Sequence, residues 1–385
     1  MHYHRLGKIP HKRHIQFRDA SGRLYQEEVF GREGFSGVTS TLYHIYPPPR
    51  FRHQEDLGSI RPAIWIADKI LPLSFRTFEL PAAADFFEAR KVLFLNADVQ
   101  IGVIALTGYD EPVFFKNADG DEILFVHRGE GVLRTVFGKI AFRSGDYLVI
   151  PKGTIYQLEL NGGEGRLLLI ESATPIHFPK RYRNEFGQLL EHSPFCERDI
   201  RVPEELQTHD EQGEFVVYIK KFDKLFRFTY DHHPFDVVGW DGYNYPYALS
   251  IHDFEPITGR IHQPPPVHQT FEARNFVVCS FVPRLYDYHP LAIPAPYHHS
   301  NIDSDEILYY VDGNFMSRND VEPGYITLHP GGIPHGPHPG AIERSIGKKS
   351  TDELAVMIDP FRPIAISEHA RTIANEEYYK SWWDK

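Results

Sequence analysis

Residues 121–129 read DEILFVHRG, and residues 305–313 read DEILYYVDG. The likeness runs on past these stretches. Gly145 is followed by Pro151 and Tyr156, and Gly324 by Pro330 and His335, at the same two intervals. An internal repeat describes a fold before it describes a function. Around the first copy, residues 116–172 break into the short runs ILFVH, GVLRTVF, YLVIP, TIYQLEL and RLLLIE, separated by Gly-containing turns. Runs of that kind predict a sandwich or small barrel, so two copies of one small β-barrel are expected.

The copies differ where chemistry would sit. The second lies within residues 297–338, YHHSNIDSDEILYYVDGNFMSRNDVEPGYITLHPGGIPHGPH, where His299 and His335 flank Glu306. Two imidazoles and a carboxylate brought together by a hairpin could fill three adjacent positions around a divalent iron and leave the others open. In the first copy Glu122 remains, but Phe115 stands in the place of His299 and Tyr156 in the place of His335. A carboxylate with two aromatics cannot hold Fe(II), so the first barrel reads as structural and metal-free, and the second as the bearer of chemistry.

Composition supports a β-rich chain and narrows its partners. The 385 residues include 28 Phe, 21 Tyr, 30 Pro and 29 Gly, which suits many short strands joined by tight turns. A formal net charge of −11 argues against nucleic acid, whose binders carry a basic face. The start, MHYHRLGKIPHKRH, has no apolar secretion region, and no apolar run approaches the roughly 18 residues of a spanning helix, so no membrane partner is expected. With only Cys196 and Cys279 there is no disulfide framework, and a cytoplasmic location is expected.

The expected division runs in five parts. Residues 1–115 are N-terminal strands and an arm, 116–180 the first barrel, 181–250 a connecting segment, 251–363 the second barrel, and 364–385 a helical tail ending in Trp382 and Trp383. A few short helices complete a mostly β fold. In IHQPPPVHQTF, His262 and His268 flank three prolines on a rigid loop, and an imidazole fixed near a metal is a candidate general base.

Four blocks, FDVVGWDGYNYPY, IHQPPPVHQTF, PYHHSNIDSDE and LHPGGIPHGPH, together resemble homogentisate 1,2-dioxygenases, in a shorter bacterial branch. LYQEEVFG and DGDEILFVHRGEG add to the likeness. The resemblance implies a bicupin, two cupin jelly-roll barrels, that uses Fe(II) and O₂ to cleave the ring of homogentisate to maleylacetoacetate in tyrosine and phenylalanine breakdown. Carried over by motif, the iron ligands are His299, Glu306 and His335, with His298 as a rival to His299. His262 falls on the catalytic position and His329 on a second-shell or substrate-contacting one. A trimer or hexamer is implied as well. Where long-chain members place a tyrosine against the substrate's carboxylate, this chain has Phe315, which has no hydroxyl. Tyr297, Tyr309 or an arginine would then hold the carboxylate, or the substrate differs. Two alternatives stay open: a related cupin dioxygenase for another hydroquinone-type ring such as gentisate, and a non-oxidative metal-binding bicupin.

Overall fold

The computed structural model describes residues 2–108, 112–315, 317–318 and 321–383. Its centre is the strand Asp121–Arg128, buried on both faces until its last residue. Side chains alternate across a strand, so this one feeds two cores. Leu124 and Val126 join Ile104, Leu148 and Leu169 inside the first barrel. Ile123 and Phe125 face the other way, into a core shared with Ile307, Tyr309, Val356 and Ile358 of the second barrel. The two barrels therefore meet sheet against sheet. Each fully buried aliphatic or phenyl side chain at that contact contributes roughly 1.5–3 kcal/mol.

The repeat is visible in the pairing. Glu122 lies opposite Ile150, as Glu306 lies opposite His329. Phe115 pairs with Tyr156, as His299 bridges His335. The Asp-Glu pair that both copies share splits its work between the two faces. Asp121 accepts backbone hydrogen bonds from Lys152 and Ile176 at 2.8 and 3.0 Å, and Asp305 does the same for Gly331 and Ile364 at 2.7 and 2.8 Å. The aspartate straps the next turn in place, while the glutamate points into its barrel. Gly145 and Gly324 hold φ at 91° and 85°, where a side chain would be strained, and their N–H groups close onto Val126 and Tyr310.

The expected segment boundaries are crossed by the sheets. Leu73–Arg76, placed in the N-terminal part, pairs with Tyr325–His329 of the second barrel and with Ala374–Asn375. Gln212–Lys221 and Lys224–His232 are long paired strands of the seven-stranded sheet that includes Phe114–Asn117, so the connecting segment builds the first barrel. The tail is not a helix. Residues 365–367 pair with the strand Arg90–Leu95, one turn of helix follows at Glu368–Arg371, and a 3₁₀ turn covers Tyr378–Trp382. Its Ala and Glu content has the right propensity, but a few residues gain more from sheet pairing and packing than from an isolated helix. Among the described residues no helix is long and apolar enough to cross a membrane.

Candidate metal centre

The hairpin of Glu306–Asp312 and Tyr325–His329 begins at Glu306, and the bridge between His299 and His335 lies just beyond it. That arrangement brings three ligand atoms together, all within 4.8 Å of one another. His299 Nε2 is 3.5 Å and His335 Nε2 3.3 Å from Glu306 Oε2. The other ring nitrogens face the backbone: His299 Nδ1 lies 3.2 Å from the Tyr297 carbonyl and His335 Nδ1 3.2 Å from that of Ile333. An Nδ1 that donates to a backbone carbonyl is the arrangement that leaves Nε2 for a metal. Two imidazole nitrogens and a carboxylate facing one another make a site that a proton or a metal cation can share. The donor set suits divalent iron. His298 is exposed and sits beside Gly336, away from Glu306.

Behind the three lies His329. Its ring is fully buried and stacks on His335 at 4.5 Å and 8°. Its Nδ1 is 3.1 Å from Glu306 Oε1 but is too poorly aligned to count as a hydrogen bond. Burial pulls the His329 imidazole down to about 4, so it stays neutral. Burial alone would raise Glu306, yet the three histidines around it hold its carboxyl well below the usual range. His299 is raised, chiefly by its contact with Glu306. The Arg318 guanidinium, 4.0 Å from Glu306 and over the Trp382 ring at 5.8 Å, completes the buried shell.

The equivalent place in the first barrel is filled by the protein itself. Tyr156 donates to Glu122 Oε2 at 2.8 Å, Asn117 donates to Oε1 at 3.1 Å, and the Arg90 guanidinium bonds the same carboxylate. An internal cation sits where the second barrel offers open ligands.

A cavity of about 790 Å³ opens onto the centre. His262, Tyr297 and Phe315 line it with His299 and Glu306, whereas His329 lies behind Glu306 and not among the lining residues. His262 is at the mouth, Nδ1 3.5 Å from Asp287 and ring 5.1 Å from that of Tyr297, which in turn lies 6.0 Å from His299. Phe315 packs edge-on against Tyr310 at 4.6 Å. Tyr309, one candidate for holding a carboxylate, is instead buried at the contact between barrels, its hydroxyl 2.7 Å from His127 Nδ1. Strand alternation explains this, since Leu308 and Tyr310 face the cavity and Tyr309 cannot. Sequence reasoning missed Asp359, Arg318 and His338. Asp359 was findable, because residues 166–171 and 354–359 end the two repeats alike, in RLLLIE and LAVMID. His338, buried against Trp382 at 4.1 Å, depends on the tail and had no local signal.

A model described as homogentisate 1,2-dioxygenase N-terminal matches residues 73–251. A protein of Saccharolobus solfataricus, whose name assigns it provisionally to the dioxygenases, is 45% identical over 383 residues and 99% of each chain. The homogentisate 1,2-dioxygenase of Nitrobacter hamburgensis is 29% identical over 98% of this chain and 90% of its own. That of Homo sapiens is 25% identical over 93% and 87% respectively. Among solved structures, a cupin 2 conserved barrel domain protein from Leptotrichia buccalis aligns with a TM-score of 0.34 at 12% identity, over 78% of this chain and 100% of that one. The fold is mostly β. By its near full-length likeness to these relatives, the chain belongs to the homogentisate 1,2-dioxygenase family.

Proposed function

We propose that the protein is an Fe(II)- and O₂-dependent ring-cleaving dioxygenase that converts homogentisate to maleylacetoacetate in tyrosine and phenylalanine breakdown. One observation carries the reading: two imidazole Nε2 atoms and a carboxylate cluster beside a largely apolar cavity, in a chain of this family. Iron would be held by His299, Glu306 and His335, and when bound it supplies the one-electron chemistry that lets a phenol react with O₂.

The chain's own residues bind and orient the ring and move its proton. Leu308, Tyr310, Phe315 and Met357 wall the cavity and keep bulk water from the reacting ring. Asp287 faces His262 Nδ1, which favours a proton there and leaves Nε2 free to take the phenol proton, within the 10²–10⁴-fold typical of general bases. Tyr297, between His262 and His299, positions the ring edge. His329 packs behind the carboxylate of Glu306 and stacks on the His335 ring. Of the cavity's arginines, Arg284 is engaged by Glu353 at 2.9 Å and Arg318 is buried against Glu306. Arg181 has no ion pair among the described residues, and we assign it the substrate's carboxylate. Exposed Ile261, Leu285, Leu291 and Ile293 support the homo-oligomer that the family implies.

A second reading, cleavage of another hydroquinone-type ring such as gentisate, is favoured by Phe315, which offers no hydroxyl to a side arm. The test is O₂ uptake by anaerobically Fe(II)-loaded protein offered homogentisate, gentisate and hydroquinone, with ring opening followed by ultraviolet absorbance. Uptake with homogentisate alone is expected. Uptake with another diol only would move the substrate, and none with any diol despite bound iron would leave a non-oxidative metal-binding bicupin.

A further inference from the structure

The strand Leu354–Pro360 sends Ala355, Met357 and Asp359 into the cavity and Val356 and Ile358 into the shared core. The register Ile307 to Ile358 carries Asp359 to the place opposite Glu306. In the first barrel, Glu122 is opposite Glu171 in the same register. There the second acid is neutralised, since Lys220 donates to Glu171 Oε1 and Arg90 approaches its other oxygen at 3.8 Å. Asp359 has no such partner among the described residues. Its Oδ1 is closed to solvent and accepts no hydrogen bond among the described residues. Burial and the neighbouring Glu306 push its carboxyl well above the ordinary range.

An acceptor oxygen left unpaired in a buried site costs free energy unless a ligand satisfies it. A cation of the chain, as in the first barrel, would satisfy it permanently; here the place is left to whatever enters the cavity. We propose that Asp359 is a specificity-determining residue that accepts a hydrogen bond from a second donor on the substrate ring, a hydroxyl or amino group distinct from the phenol oxygen that meets the metal. This rests on the ring-cleavage reading and narrows its substrate class to rings with two donors, excluding simple phenols and ethers. Two carboxyls facing one another also disfavour an anionic arm on that side of the ring. Either protonation state of Asp359 keeps an accepting oxygen, so the selection does not depend on its titration.

The test measures equilibrium binding of hydroquinone, 4-aminophenol and 4-methoxyphenol to Fe(II)-loaded protein under argon, by calorimetry. Wild type should prefer hydroquinone and 4-aminophenol over 4-methoxyphenol by about tenfold, the worth of one hydrogen bond. Asp359→Ala should bring the three within about twofold of one another. Asp359→Asn, which keeps an acceptor oxygen, should keep most of the preference. Both variants should retain iron and melt no lower than wild type, because an unsatisfied buried carboxyl has been removed. A preference that survives in Asp359→Ala, or is absent from wild type while phenols still bind, overturns the assignment and leaves the metal-site reading standing. Failure of every phenol to bind the loaded protein takes both down.

Discussion

His299 and His335 each turn one nitrogen to the backbone and aim the other at Glu306. That division makes the centre a ligand set prepared in advance, and it leaves the carboxylate as its only negative charge. Glu306→Gln should cut retained iron by more than the about 10–100-fold seen when only the partners of a metal ligand are disturbed, with a smaller change in melting temperature. Metal analysis beside a thermal melt reads both, and unchanged iron would remove Glu306 from the centre. His262 is different in kind, being half-exposed at the mouth and out of reach of Glu306's cluster. His262→Ala should keep iron and lose about 10²–10⁴-fold in turnover. Retained rate would end its role as base.

At the level of elements, one strand pattern serves two purposes. Both hairpins bury an acid at the strand start, tie it down with the preceding aspartate, and differ in what meets it. In the first barrel that partner is Arg90, at the start of the strand Arg90–Leu95, bonded to Glu122 and near Glu171. Replacing it leaves the buried Glu122 carboxylate without its cation, while Glu171 keeps Lys220. Arg90→Met is therefore expected to destabilise by about 3–5 kcal/mol, measurable by denaturant titration, while iron content per folded protein stays the same. A variant as stable as wild type would show that the arginine is not what neutralises this site. The C-terminal 3₁₀ turn is the other element that reaches the centre: Trp382 donates to the Gly336 carbonyl at 3.2 Å and packs on His338 and Arg318. Its role there was hidden by a composition that reads as helix.

On the scale of the whole molecule, the N-terminal sheet, separate from the sheet that carries Glu306, is pinned by a buried ion cluster. His44 lies 2.7 Å from Asp236 and 3.0 Å from Glu28, joining the strand Thr39–His44 to its neighbours. Burial alone would lower this imidazole, but the two carboxylates outweigh it and raise it to about 9. A raised folded value above an unfolded one of about 6.5 means the contribution is complete below pH about 6.5 and is lost as pH rises through about 9, on the order of 3 kcal/mol. Wild type should lose melting temperature over that window, and His44→Gln should be less stable at pH 6 and flatter above it; a parallel decline in both would sink the account. Much else was legible without coordinates. The twofold repeat, the β-rich class and the difference between Phe115–Tyr156 and His299–His335 all follow from residue order, because a strand's period of two and its turns are local properties. What residue order could not say is which strands pair. Arg90 enters the Glu122 site, Asp359 faces Glu306, Tyr309 turns to the other barrel, and residues 374–375 close onto 74–75, each through contacts between distant parts of the chain. A local pattern specifies which face of a strand is buried, whereas the partner across the sheet is chosen by the free energy of closing the whole core.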